Sequence, residues 1–206
     1  MNGERRLTAQ GQERKQQLLD RAAELFAERG YAETRVIDIV RAAGVAKGLF
    51  YWYFENKEAL FRELVENIRL RLRLAQSAAM DPDADPLTQI RQGAEASVRF
   101  MASHAHFFAL LEVENLEKQF ADVLRRGTDV HASDVGRLVR EAIDAGLVRD
   151  EDPALLTYGV IGAVGYYSHF HRTGRIQAPI DELAEFVGRW VVQSLAADEL
   201  ALRLQP

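Results

Sequence analysis

The chemistry of this chain is concentrated in Ala42-Ala43-Gly44-Val45-Ala46-Lys47-Gly48-Leu49-Phe50-Tyr51-Trp52-Tyr53-Phe54. A short helical pattern ends at Gly44, where the positive φ open to glycine lets the chain turn tightly. Val45 plugs the gap between two helices. The helix that follows is slim at Ala46 and Gly48, basic at Lys47 and aromatic with a polar tip at Tyr51. This is the layout of a helix-turn-helix that places its second helix in a DNA major groove. Lys47 and Tyr51 reach phosphates or base edges there, while Phe50 and Phe54 point back to the core. Lys57 opens the next helix, whose first backbone N–H groups also favour phosphate. Trp52 reads equally as a core residue or a contact, and Glu55 lies where phosphates would be repelled.

The elements that position these residues follow from periodicity. Leu18, Leu19, Ala22, Leu25 and Phe26 recur at helical spacing and Gly30 stops that helix. Thr34 is the expected N-cap of a short helix carrying Val36, Ile39, Val40 and Ala43. Asn56 caps a long helix with Phe61, Leu64, Val65, Ile68 and Leu72 on one face. The run Asp81-Pro82-Asp83-Ala84-Asp85-Pro86 is a breaker. Helices are then expected over 87–103, over 104–124 with one break, over 129–145 closed by Gly146, from Pro153 to about Arg172, and from Pro179 or Asp181 onward. The last carries the stripe Leu183, Phe186, Val187, Trp190, Val191, Ser194 and Leu195. No strand alternation is present. The expected fold is all-α with about nine helices: an arm and head over 1–56 and a body over 57–206.

Composition bounds the function classes. The chain has 206 residues and no cysteine, which excludes disulfides and thiolate metal sites and suits the cytoplasm. No apolar run approaches the ~18 residues a membrane span needs, so no membrane partner is expected. The net charge of −5 divides unevenly. Residues 1–62 hold 11 basic and 9 acidic residues, whereas 63–206 hold 15 and 22. The acidic part would face away from phosphates. Arg5 and Arg6 fit either a minor-groove arm or an ordinary disordered tail.

The head resembles the TetR family of bacterial repressors. The likeness runs through Gly30-Tyr31, Thr34, Asp38-Ile39, Ala42-Ala43-Gly44-Val45, Lys47-Gly48, Tyr51, Tyr53-Phe54, Lys57 and Leu60. It covers about a fifth of the chain. The resemblance implies a three-helix DNA-binding head on a helical ligand-binding body, and a homodimer on a palindromic double-stranded operator. It implies DNA contacts at Lys47, Gly48, Leu49, Tyr51, Trp52, Tyr53 and Lys57, with phosphate contacts at Thr34 and Arg35. Two positions depart from the family pattern: Ala46 where Ser is common, and Leu49 where a small hydroxyl is common. Ala46 forfeits a helix cap of about 1 kcal/mol.

In the body, two aromatic-rich stretches suggest an apolar cavity with polar anchors for a small-molecule effector. The residues proposed to line it are Phe100, His104, Phe107, Phe108, Leu111, Tyr158 and Tyr166, against the alternative of plain core packing. Glu112, Glu114 and Glu117 would suit a cation if they faced inward. His104-x-His106 and His169-x-His171 point to different helix faces and chelate nothing alone, so no metal and no cofactor is called for. Gly159, Gly162 and Gly165 make their helix slim, which fits a close seam. Gly162, Gly165, Phe186 and Trp190 are the expected dimer contacts, with intramolecular packing as the alternative. No catalytic motif is visible, so the chain is not expected to be an enzyme. A ligand-released repressor leads; a helical carrier or enzyme using the aromatic cavity, and an effector-free architectural DNA binder, are the alternatives.

Overall fold

A computed structural model describes residues 8–111 and 120–197, and the backbone alone at Leu110, Leu111 and Ala121. Arg5, Arg6, Glu112, Glu114 and Glu117 lie outside the described residues. Among those described, nine helices form: α1 Ala9–Arg29, α2 Val36–Ala42, α3 Lys47–Tyr53, α4 Lys57–Ala79, α5 Pro86–Ser103, α6 Ala105–Leu111, α7 Ala121–Asp144, α8 Pro153–Arg172 and α9 Ile180–Leu195. The one β feature among them is an isolated antiparallel bridge between Val148 and Ala196. Helix α7 begins at Ala121, eight residues before the expected start, because nothing in Ala121–Thr128 breaks a helix except Gly127. Gly127 is tolerated because the Arg69 side chain occupies the space a Cβ would take.

The chain divides into two compact units. The first comprises Met1–Asn67 and His106–Val123, so it extends past residue 56; the second comprises Ile68–Ala105 and Leu124–Pro206. In the first, α1 is capped by Thr8, whose Oγ1 accepts from Gly11 N at 3.2 Å. It buries Leu18, Leu19, Ala22, Leu25 and Phe26. Gly30 adopts φ 82° and its N–H closes the helix on Phe26 O at 2.9 Å. Phe26, Tyr31, Phe61 and Phe120 form a ring cluster with centroid separations of 4.2 to 5.9 Å. Such edge and tilted contacts add about 0.5–1.5 kcal/mol per pair to the burial itself.

In the second unit α5 packs on α8 and most extensively on α9. Asp85 caps α5 by accepting from Thr88 N at 3.0 Å, and Pro86 sits in the first turn, where its missing N–H costs nothing. Leu87, Ile90, Ala94 and Val98 of α5 meet Leu156, Val160 and Val164 of α8 and Leu183, Val187 and Val191 of α9 in one core. The close approach of α5 to α9 rests on Gly188: a Cβ there would lie 2.6 Å from Glu95 Cγ. No described helix is long and apolar enough to cross a membrane.

Candidate nucleic-acid interface and body cavity

Helices α2 and α3 are short, and each is held by a few residues. Ile39 and Val40 of α2 and Phe50 of α3 are buried, as is Phe54 just beyond. Gly44 takes φ 64°, and Val45 N closes the turn on Val40 O at 3.0 Å. With Phe50 pinned inside, the helical period turns positions 47, 48, 51 and 52 outward. Lys47 and Gly48 are exposed, Tyr51 is 50% exposed and Trp52 is 53% exposed. The Lys47 Nζ sits 5.8 Å from the Tyr51 ring centroid, and no carboxylate pairs with it among the described residues. A Cβ at Gly48 would meet nothing within 4 Å, so this stretch of helix is thin and open. Leu49 is half-buried beside it. Trp52, open between two alternatives from the sequence, is on the surface, with its ring edge-on to Tyr53 at 4.7 Å.

Four other expected contacts are engaged inside the head. Thr34 is fully buried: its hydroxyl lies 2.8 Å from Gly30 O and 3.2 Å from Leu25 O, so it seals the end of α1. That corrects two expectations, since a buried side chain cannot reach phosphate and the N-cap of α2 is Arg35. Arg35 is exposed but bonded to Asp38, Nε to Oδ2 at 3.1 Å. That hydrogen bond holds the Asp38 carboxyl below its usual range. The Tyr53 hydroxyl donates to Gly11 O at 2.8 Å, tying α3 to the first turn of α1. Lys57 Nζ reaches the carbonyls of Tyr31, Thr34 and Ala32 at 2.7, 2.9 and 3.3 Å and lies 4.2 Å over the Tyr31 ring. An ammonium has three donors. All three are used here, so the expectation of a phosphate contact at Lys57 gives way to a clamp on the α1–α2 loop. Arg41, exposed at the end of α2 with no ion pair among the described residues, was not singled out from sequence. No spacing signal distinguishes it from any other surface arginine.

The second unit holds a cavity of about 200 Å³. Its apolar wall includes Met80, Ile90, Ala94, Leu138, Val160 and Val164, and its polar groups are Arg73, Gln76, Ser77, Gln89, Ser97, His131, Asp134 and Arg137. None of the six expected residues whose side chains are described lines it. Phe100 is buried and stacks on His104 at 4.0 Å. Phe107 and Phe108 pack edge-to-face in the first unit. Tyr158 and Tyr166 are exposed, the latter at 68%, and of Leu111 only the backbone is described. The aromatics were conspicuous by type, whereas the lining residues come singly from α4, α5, α7 and α8. The closest thing to a sequence signal is His131 and Asp134, one helical turn apart. The histidine pairs serve local contacts: a His104 ring nitrogen lies 2.9 Å from Arg71 Nη2, and His171 Nε2 lies 3.1 Å from Ala178 O.

On α8 and α9 the apolar residues divide between two faces. Leu183, Val187, Val191 and Leu195 are buried, while Phe186 and Trp190 are exposed. The single stripe expected for α9 is therefore two adjoining ones. Gly159, Gly162 and Gly165 have open space where a Cβ would sit, so no packing among the described residues requires them.

Comparison with known proteins agrees with this layout. A family model described as "Bacterial regulatory proteins, tetR family" matches residues 18–64. A second, "Tetracyclin repressor-like, C-terminal domain", matches residues 83–195, more than half of the chain. The probable acrEF/envCD operon repressor of Escherichia coli K12 is 30% identical over 119 residues, which cover 57% of this chain and 54% of that protein. The transcriptional regulator TtgR of Pseudomonas putida is 34% identical over 89 residues, 43% of this chain and 42% of its own. The chain thus spans about half the length of these curated relatives. The fatty acid degradation regulator FadR from Bacillus halodurans shares the fold, with a TM-score of 0.78 at 19% identity over 87% of this chain and 94% of the other. With a head that exposes one face of α3 and a helical body matched over residues 83–195, this chain belongs to the TetR family of bacterial regulatory proteins.

Proposed function

We propose that the chain is a ligand-responsive transcriptional repressor that binds a palindromic operator as a homodimer and is released by a small effector. The observation that carries this is the outward face of α3: Lys47, Gly48, Tyr51 and Trp52 are presented together on a helix whose opposite side is anchored by Phe50. A thin helix with an unpaired cation and polar-tipped rings matches what a major groove accepts. Leu49 adds apolar surface suited to a thymine methyl. The Arg35 side chain, exposed beside Asp38, is the nearest candidate for an added phosphate contact.

Two copies are proposed to meet on α8 and α9. Leu155, Tyr158, Tyr166, Phe186 and Trp190 are exposed there, and Gly162 and Gly165 leave room for close approach of a second backbone. An apolar surface of this kind on a single chain marks an interaction site. The effector site is proposed to be the 200 Å³ cavity. Its walls include the second half of α4, a helix whose first half belongs to the head unit. A ligand changes DNA affinity only through unequal affinity for two states of the protein, and a helix shared by both units is the natural element to carry that difference.

The test is a salt-varied gel-shift titration against the DNA upstream of the protein's own gene, comparing the wild type with Tyr51→Ala. Specific binding that falls with salt and weakens about tenfold or more in the variant, at unchanged thermal stability, is expected. Wild-type binding no tighter than to random DNA would overturn the proposal for that operator, and unchanged affinity in the variant would remove Tyr51 from the interface.

A further inference from the structure

The charges that line the body cavity are compensated within the protein. Arg73 and Asp134 face each other in a two-pronged pair, Nε to Oδ2 at 2.8 Å and Nη2 to Oδ1 at 2.9 Å. Arg137 is paired with Glu141 at 2.8 Å. Two further polar groups differ from these. Gln76 donates its amide to Ser97 Oγ at 2.8 Å, and its carbonyl oxygen has no partner among the described residues. His131 makes no hydrogen bond among the described residues. Burial pushes its pKa below the ordinary value, with Asp134 opposing this and the nearby Arg69 adding to it. Of the other polar lining groups, the Ser97 hydroxyl donates to Gly93 O at 2.6 Å, the Gln89 amide donates to Ala84 O at 2.8 Å, and Ser77 is exposed to solvent.

We infer that the cavity selects an uncharged, compact, mainly apolar molecule carrying one hydroxyl-type donor, which meets the Gln76 carbonyl or the His131 imidazole. This rests on the proposal that the cavity is the effector site. An anion entering it would find Arg73 already bonded and Asp134 beside it. A cation would find the reverse, and either would lose its hydration without gaining a free countercharge. Size sets the second limit. Since an apolar cavity of about 150 Å³ takes benzene, one of about 200 Å³ suits a ring with two or three further heavy atoms. No Phe, Tyr or Trp is among the described wall residues, so shape and burial do most to hold the ring.

The experiment is calorimetric titration of the whole protein, without DNA, using four probes of matched skeleton: phenethyl alcohol, ethylbenzene, phenylacetate and phenethylammonium. The alcohol is expected to bind most tightly, ethylbenzene about tenfold more weakly for want of the hydrogen bond, and each ion at least about tenfold more weakly. Two variants sharpen the result. Asp134→Asn frees Arg73 and should strengthen phenylacetate about tenfold relative to the alcohol. Arg73→Gln should strengthen phenethylammonium instead. Opposite switches in two variants cannot arise from loss of folding, and thermal unfolding checks each. An ion that binds the wild type as tightly as the alcohol does, or an alcohol that does not bind at all, overturns the inference. Failure of the alcohol to release operator DNA despite binding with this selectivity would leave the ligand class standing and count against the effector role alone.

Discussion

The head and the body handle charge in opposite ways. On the outer face of α3, Lys47 has an aromatic ring for a neighbour and pairs with no carboxylate among the described residues. In the body cavity, Arg73 and Arg137 are each bound to a carboxylate of the same unit. A cation meant for a polyanion must be uncompensated, because its value lies in the counterions it displaces. A cation at the rim of a site for a neutral ligand is better paired, because a carboxylate already bonded to it competes with an incoming anion. The same contrast operates inside the head. Lys47 and Lys57 flank one aromatic segment, yet Lys57 spends its three donors on loop carbonyls and Lys47 spends none. Basic residues within one motif thus divide into those that build the interface and those that present it.

The comparison is broken most forcefully at Phe50, which is fully buried beneath the presented face. Phe50→Ala is expected to destabilise the head by about 3–5 kcal/mol, read as a lower thermal midpoint with loss of DNA binding. Lys57→Met should cost about 1–3 kcal/mol in stability by leaving carbonyls unpaired, while the salt dependence of DNA binding keeps its slope. A slope reduced at unchanged stability would return Lys57 to the phosphate contacts. Lys47→Ala should do the reverse: stability within about 0.5 kcal/mol of the parent, and a salt slope smaller by about one. The smallest effect concerns His131. Its depressed folded value means that the unfolded chain binds the proton more readily, so this contribution to stability is full above the ordinary pKa of about 6.5 and declines as pH falls through it. Denaturant midpoints from pH 7.5 to 5 should fall less steeply in His131→Gln than in the parent, with Asp134 and Arg69 as the charges that face the ring.

The outer face of α3 at Lys47, Gly48 and Tyr51 and the sealed core under it were legible because Phe50 and Phe54 pin the short helix, while Trp52 stayed open between core and surface. Helix ends at Gly30, Gly44 and Gly146 were legible for a similar reason, since all three adopt positive φ. The destinations of Thr34, Tyr53 and Lys57 were not. Each bonds a backbone carbonyl that periodicity does not bring near, from 4 to 42 residues away. The body cavity was hidden more deeply still, because four helices contribute its wall and no local window of sequence contains it.

What the sequence alone determined was the set of elements and the outward face of the groove helix, because turn chemistry and helical period act over a few residues. What only the tertiary structure decided was which polar groups are spent and which are open. A hydrogen bond or ion pair needs two groups within about 3 Å. Only the packed chain says that Lys57 has found its partners, that Arg73 has found Asp134, and that the Gln76 carbonyl and the His131 ring have none among the described residues.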